Sequence, residues 1–409
     1  MRARRPDSWV GNAADSEQDK TKNTQRSITC ISCSPTAFGV VLCTSNDIPD
    51  SMRRPFIFSC YRPQLRSVRE CLTSLFYLHN ETVNIWSHLL GGLIVGYHAV
   101  VVGMDAINSK TPVLDLSFEQ SLDPSLPRGT LEIGRCVHSA FLFAAANCFL
   151  TSAAYHCGSC YHDEALCASL FRADVTGIAV LIAASFLPGV FFGFACFPFL
   201  QHAYLVMVAG LLIVGVGVSL FDCEKSRLKT HGAQKDTTGK SGVAVTAAQR
   251  VRTAVFVCFV CLGLVVAVHW ALLVAAPARA LFLPRVVGML ALYGSGFAVY
   301  SSQQPERGTR DTHEEGLVIK GTPVVANDGI IVGPFSPPQP PGRYDVWGHS
   351  HQWWHLAVVA AVLVWHSTCV GVRIQLQEEG CRAYAITPGV NGLNLRGGVQ
   401  QSLKIHTAV

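Results

Sequence analysis

Charge is scarce in this chain. Asp, Glu, Lys and Arg together make up 14% of its 409 residues, where an ordinary globular domain carries roughly a quarter. Nor is there a dense basic block: the net charge is only +5, which argues for orientation on a membrane and against any nucleic-acid partner. No apolar h-region follows Arg2, Arg4 and Arg5, so no cleavable signal peptide is expected and the first apolar span itself directs insertion. The sixteen Cys lack the dense, regular spacing of a disulfide scaffold and are expected mostly as small apolar fillers. Three C-x2-C pairs occur, Cys30/Cys33, Cys157/Cys160 and Cys258/Cys261, but a zinc ribbon needs two such pairs across a short loop. Cys258/Cys261 fall inside an apolar run and read as packing. Cys157/Cys160, beside His156, is the pair to watch.

What fills the space left by charge is apolar sequence, half of all residues. It gathers into seven runs: Ile85 to Met104, His138 to Ala154, Val175 to Phe194, Ala203 to Phe221, Thr253 to Ala276, Val286 to Ser301 and Trp353 to Gly371. Most are near the roughly 17–25 residues that a helix needs to cross a bilayer. The expected fold is therefore all-α, an integral membrane seven-helix bundle. Residues 1–60 are polar and without periodicity and are expected to be disordered. The seven-span domain is placed at 61–372, with long loops at 222–252 and 308–340 expected to be disordered as well, and a tail at 373–409. Between Pro63 and the first span, Leu65, Val68, Leu72, Leu75 and Phe76 recur at helical spacing with Arg66 and Arg69 among them. This pattern fits a basic amphipathic helix in the membrane interface, or equally a soluble helix packed under the bundle.

Lys and Arg near the span ends set the orientation. The N-terminal flank carries Arg53, Arg54, Arg62, Arg66 and Arg69, and the loop after the fourth span carries Lys225, Arg227, Lys229, Lys235, Lys240, Arg250 and Arg252. The opposite loops are poor in both. The N-terminus is thus expected in the cytoplasm and the C-terminus outside the cell or in a lumen, which would leave the sequon Asn80-Glu-Thr82 unglycosylated.

With that topology, Ser152 and His156 end the second span, Asp174 begins the third, and His351 and His355 begin the seventh, all near the cytoplasmic face. Ionisable groups at such positions are costly and are usually paired, inward-facing and functional. His351 and His355, four apart, share one helical face. Three His with an open fourth position form the ligand set of a catalytic zinc, and Asp174 is placed to hold or activate a water there. Ser152, one turn before His156, is placed to hydrogen-bond that water or a substrate oxygen. The remaining His of the spans, His88, His98, His138, His269 and His366, are expected mostly in interhelical hydrogen bonds. His349 is expected as a helix-start residue.

These residues carry a resemblance. Ser74-Leu-Phe-Tyr-Leu-His79-Asn80-Glu81-Thr82-Val-Asn84-Ile-Trp86-Ser-His88, Ser152 with His156, Asp174 with Gly177, Pro305-Glu306-Arg307, and Ser350-His351 with His355 resemble the progestin and adipoQ receptor family, also called the adiponectin receptor or haemolysin-III-like family. The first-span wording and Trp365-His366-Ser-Thr look most like its Golgi-resident, Raf-kinase-trapping branch. The resemblance implies a seven-helix bundle with its N-terminus inside and a zinc held by His156, His351 and His355, with Asp174 beside it. It implies membrane lipid, a protein or steroid hormone and a cytoplasmic signalling protein as partners, and a plasma or Golgi membrane as the location. The chain departs from the family in one place, a stretch of roughly thirty residues from Gly308 to Pro340.

Two functional readings follow. In one the protein is a receptor whose zinc-activated water hydrolyses a ceramide-like amide lipid, with Asp174 handling the proton and Ser152 assisting. In the other the zinc is structural and the protein is a non-catalytic scaffold or signalling receptor.

Overall fold

A computed structural model describes residues 39–108, 129–230, 247–308 and 342–381. Among them lie a short helix α1 (Val68–Thr73) and seven long ones, α2 (Thr82–Asn108), α3 (Thr130–Gly158), α4 (Glu164–Gly193), α5 (Pro198–Thr230), α6 (Ala247–Leu273), α7 (Ala276–Ser302) and α8 (Ser350–Glu379). All seven long helices carry windows apolar and long enough to cross a membrane, and each coincides with one of the seven runs. The helices outreach the runs at several ends because segments of mixed polarity, such as Thr130–Arg135 and Arg373–Glu379, extend them past the apolar stretch.

Consecutive helices pack side by side, and α8 lies against α7, α2, α4 and α3, closing the bundle. The outward faces are apolar: Leu93, Ile94, Tyr97, Val206, Ile213, Val265 and Val268 are exposed, while Glu81, His88, His138, His156 and His355 are buried. That inversion of the usual soluble pattern is what a lipid solvent requires. Close helix contact depends on small residues. A Cβ on Gly177 of α4 would stand 3.1 Å from Thr151 Oγ1 and 3.2 Å from Cys148 Cα of α3, so this glycine lets the two helices approach where Ser152 and Asp174 face one another.

The expected disorder before residue 60 does not hold for residues 39–60. Cys43 and Tyr61 exchange two backbone hydrogen bonds of 2.7 and 3.0 Å, and Ile48, Ile57 and Tyr61 form a small buried cluster. The Asp345 carboxylate, just before α8, accepts from Phe58 N and Ser59 Oγ at 3.1 and 2.6 Å. The segment has no periodicity because it is irregular chain laid on the helix ends, and few apolar residues suffice when each is buried. Residues 1–38, with Cys30 and Cys33, lie outside the described residues, as do 309–341 of the inserted loop and 382–409 of the tail. The loop expected at 222–252 is shorter, since α5 runs to Thr230 and α6 starts at Ala247; residues 231–246 lie outside. The tail expected from 373 begins later too, because α8 continues to Glu379.

In the amphipathic segment, Val68, Leu72 and Phe76 point outward and Cys71 inward. A capping box between Ser67 and Glu70 starts α1, as that residue pair does at a helix N-terminus. Cys258 and Cys261 are exposed on the outside of their span. One disulfide, Cys196–Cys381, ties the α4–α5 connection to the end of α8. The sequence offered no spacing from which to find it, its partners being 185 residues apart.

Candidate metal centre

His156 lies in the last turn of α3, and His351 and His355 lie in the first turns of α8. Antiparallel packing brings the three imidazoles to one point, with their ligand atoms all within 4.8 Å of one another. His351 Nε2 stands 3.2 Å from His156 Nε2 and 3.2 Å from His355 Nε2. Three nitrogens bound tetrahedrally at the roughly 2.0–2.1 Å usual for zinc stand about 3.3 Å apart, so the spacing fits such an ion.

The protonation of the rings leads to the same conclusion. His156 Nδ1 lies 2.8 Å from Glu81 Oε2, and His355 Nδ1 lies 3.1 Å from the Asn84 carbonyl oxygen. Both neighbours accept, so both Nδ1 atoms carry the proton and both Nε2 atoms present bare lone pairs. A single N–H on His351 cannot satisfy two such lone pairs while its own ring stays neutral. A cation at the common point satisfies all three.

Glu81 is the organising neighbour. Its carboxylate takes His156 on one oxygen together with Asn84 Nδ2 at 2.5 Å, and Arg54 Nε at 3.1 Å on the other. Burial works to push the Glu81 carboxyl up, but Arg54, His156 and the hydrogen bonds from His156 and Asn84 outweigh it and hold it well below the usual carboxylate range. A carboxylate on the far nitrogen of a ligand histidine fixes the ring's tautomer and orientation. Arg62, only 2% exposed, closes the other side. Its guanidinium donates to the carbonyls of His156 at 2.6 Å and Cys157 at 2.8 Å and to Ser74 Oγ at 2.8 Å, capping the end of α3 at the ligand itself.

Ser152 is buried, and the half-buried Asp174 lies within its electrostatic reach. Asp174 faces His156 but is not one of the grouped ligands. His349 is the N-cap residue of α8, with Nε2 3.2 Å from the Asn80 carbonyl oxygen. Asn80 is itself 3% exposed, so its amide is unavailable to any glycan. Cys157 and Cys160 are buried with Cys71 and join no metal group among the described residues. Of the other span histidines, His269 Nδ1 meets the Tyr204 hydroxyl at 2.7 Å and His366 Nδ1 meets His138 Nε2 at 3.0 Å, both between helices. His88 instead stacks on His355, centroids 3.7 Å apart, with neither nitrogen partnered among the described residues.

Sequence reasoning gives Glu81 and Asn84 no role at the centre, and uses Arg54 and Arg62 only for orientation. A signal existed for the first two, a carboxylate and an amide three residues apart at the mouth of an apolar span. Nothing local marked the arginines.

Residues 76–366 match the family model described as haemolysin-III related. The chain is 28% identical over 350 residues to "Progestin and adipoQ receptor family member 3" of Mus musculus and of Homo sapiens, covering 85% of this chain and 90% of each relative. It is 30% identical over 382 residues to "Heptahelical transmembrane protein ADIPOR1" of Oryza sativa subsp. japonica, covering 84% of this chain and 87% of the relative.

Proposed function

The chain belongs to the haemolysin-III related family of heptahelical membrane proteins, and on that premise we propose that it is a receptor whose three-histidine centre holds zinc and hydrolyses a ceramide-like amide lipid. The observation that carries this reading is the convergence of three Nε2 atoms whose lone pairs no hydrogen-bond scheme satisfies. Bound zinc would supply Lewis acidity, polarising an acyl carbonyl and acidifying water to a pKa of about 7.

The chain's own residues do the rest. Glu81 and Asn84 hold the His156 and His355 rings with Nε2 inward. Asp174 takes the proton from the attacking water and passes it to the departing amine nitrogen. Ser152 fixes the rotamer of Asp174 and offers a hydrogen bond to a substrate oxygen. The centre faces the cytoplasm in this proposal: the basic N-terminal flank supports that, and so does the Cys196–Cys381 disulfide at the opposite end, since disulfides persist in oxidising compartments. The membrane is that of the Golgi or the cell surface, and a hormone and a cytoplasmic signalling protein are its other partners.

Metal content of the detergent-purified protein is the test. About one zinc per chain is expected in the wild type and none in His351→Ala/His355→Ala; a wild type without zinc overturns the reading. Asp174→Ala should then keep its zinc and lose ceramide turnover by about 100-fold or more, and undiminished turnover removes Asp174 from the mechanism.

A structural zinc in a non-catalytic scaffold is the second reading. It is favoured by the way the centre ties α3 to α8 and, through Glu81 and Asn84, to the start of α2, so that ion binding would contribute to folding. His156→Ala should then lower the unfolding temperature; a variant as heat-stable as the wild type counts against it.

A further inference from the structure

At the far end of the bundle a second group of polar side chains gathers between α2, α3 and α8, which pack on one another. His98 and Asp105 lie seven apart on α2, His366 and Arg373 seven apart on α8, and Arg135 and His138 three apart on α3. Each spacing keeps its pair on one helical face. α3 runs antiparallel to the other two, so the three His fall in an inner layer and Asp105, Arg135 and Arg373 in an outer one.

The inner layer is in contact. His366 Nδ1 meets His138 Nε2 at 3.0 Å, and the His98 ring lies 4.8 Å from that of His366. The outer layer is unbalanced. Arg373 is within electrostatic reach of both Arg135 and Asp105, which sets two guanidinium charges against one exposed carboxylate among the described residues. Neither arginine has a hydrogen bond or ion pair among the described residues, and the Nε atoms of both are buried without a partner. His138, 0% exposed, also has an unpartnered Nδ1.

Two like charges held together with buried donors unmet are costly unless an anion joins them. We propose that Arg135 and Arg373, with His138 beneath them, form a binding site for a phosphate-class oxyanion. Planar guanidinium groups take such oxygens two at a time, and two of them on adjoining helices suit a tetrahedral oxyanion better than a lone carboxylate does. The two arginines stand about one and a half helical turns from the ends of α3 and α8, and the site is separate from the three-histidine centre. Its phosphate comes either free from solution or on the headgroup of an anionic lipid in the surrounding leaflet.

The test uses the full chain in nanodiscs of phosphatidylcholine. Equilibrium dialysis against labelled inorganic phosphate should give about one saturable equivalent, displaced by sulfate and not by chloride at matched ionic strength. A parallel arm replaces part of the phosphatidylcholine with phosphatidylglycerol and follows the unfolding temperature, which should rise. Saturable uptake of inorganic phosphate assigns the site to the free anion; a rise with phosphatidylglycerol alone assigns it to the lipid headgroup. Arg135→Gln/Arg373→Gln should weaken whichever response is seen by at least about tenfold, with Arg373→Gln alone as the substitute should the double variant not fold. Neither response in the wild type, or equal responses in wild type and variant, overturns the proposal.

Discussion

The two ends of the bundle treat buried charge in opposite ways. At the end that gathers His156, His351 and His355, the enclosed charged groups are partnered: Glu81 by Arg54 and His156, Arg62 by two helix-end carbonyls, Asp345 by Ser59 and Phe58, and Glu306 by the backbone and hydroxyl of Ser350. At the other end Arg135 and Arg373 are partnered by nothing among the described residues. The first arrangement presets a rigid receptacle around the three Nε2 lone pairs, with His88 and Asn84 Oδ1 beside it also unpartnered among the described residues. The second leaves whole cations waiting. A satisfied polar network rigidifies its surroundings, whereas an unsatisfied one carries a penalty that a ligand can remove.

That contrast can be broken at its partnered end first. Arg62→Ala strips the guanidinium donors from the His156 and Cys157 carbonyls and leaves them only Ser159 Oγ at 3.1 Å and Cys160 Sγ at 3.8 Å, and each lost hydrogen bond to a charged group typically costs about 1.5–3 kcal/mol. The variant should unfold at a clearly lower temperature and bind metal more weakly, and heat stability equal to wild type would show that α3 does not depend on this cap. The disulfide joins the α4–α5 connection to α8 at the opposite end. Cys196→Ser/Cys381→Ser should cost about 2–4 kcal/mol, seen as a lower unfolding temperature with zinc content unchanged; loss of zinc in that variant would mean that the two ends are coupled. Glu81→Gln sharpens the comparison most. It keeps the shape and removes the charge that orients His156, so zinc affinity should fall by about 10–100-fold in competition with a chelator, while the response to phosphate stays as in the wild type.

How much of this was legible beforehand depended on range. The seven spans are visible because each apolar run is local and as long as the bilayer is thick. His351 and His355 are visible because a helix repeats every four residues or so. His156, Ser152 and Asp174 needed one further step, the depth that topology assigns to span ends. Arg54 and Arg62 stand in an irregular stretch with no periodicity. Their partners are 27 and about 95 residues away, so no pattern in the neighbouring sequence marks them. The order of residues 39–60 escapes a periodic reading because Ile48, Ile57 and Tyr61 pack on one another from irregular chain, at spacings of neither a helix nor a strand.

By itself, then, the sequence determined the class of solvent the chain folds in, the number and rough limits of its helices, and which histidines could share a depth. Those properties follow from composition and from the periods of the helix, which act over a few turns. Only the tertiary structure decided which way each imidazole faces, because Glu81 and the Asn84 carbonyl reach His156 and His355 from another helix. It alone paired Cys196 with Cys381 and set Arg135 against Arg373, since contact between residues far apart in the chain is a property of packing and not of any segment.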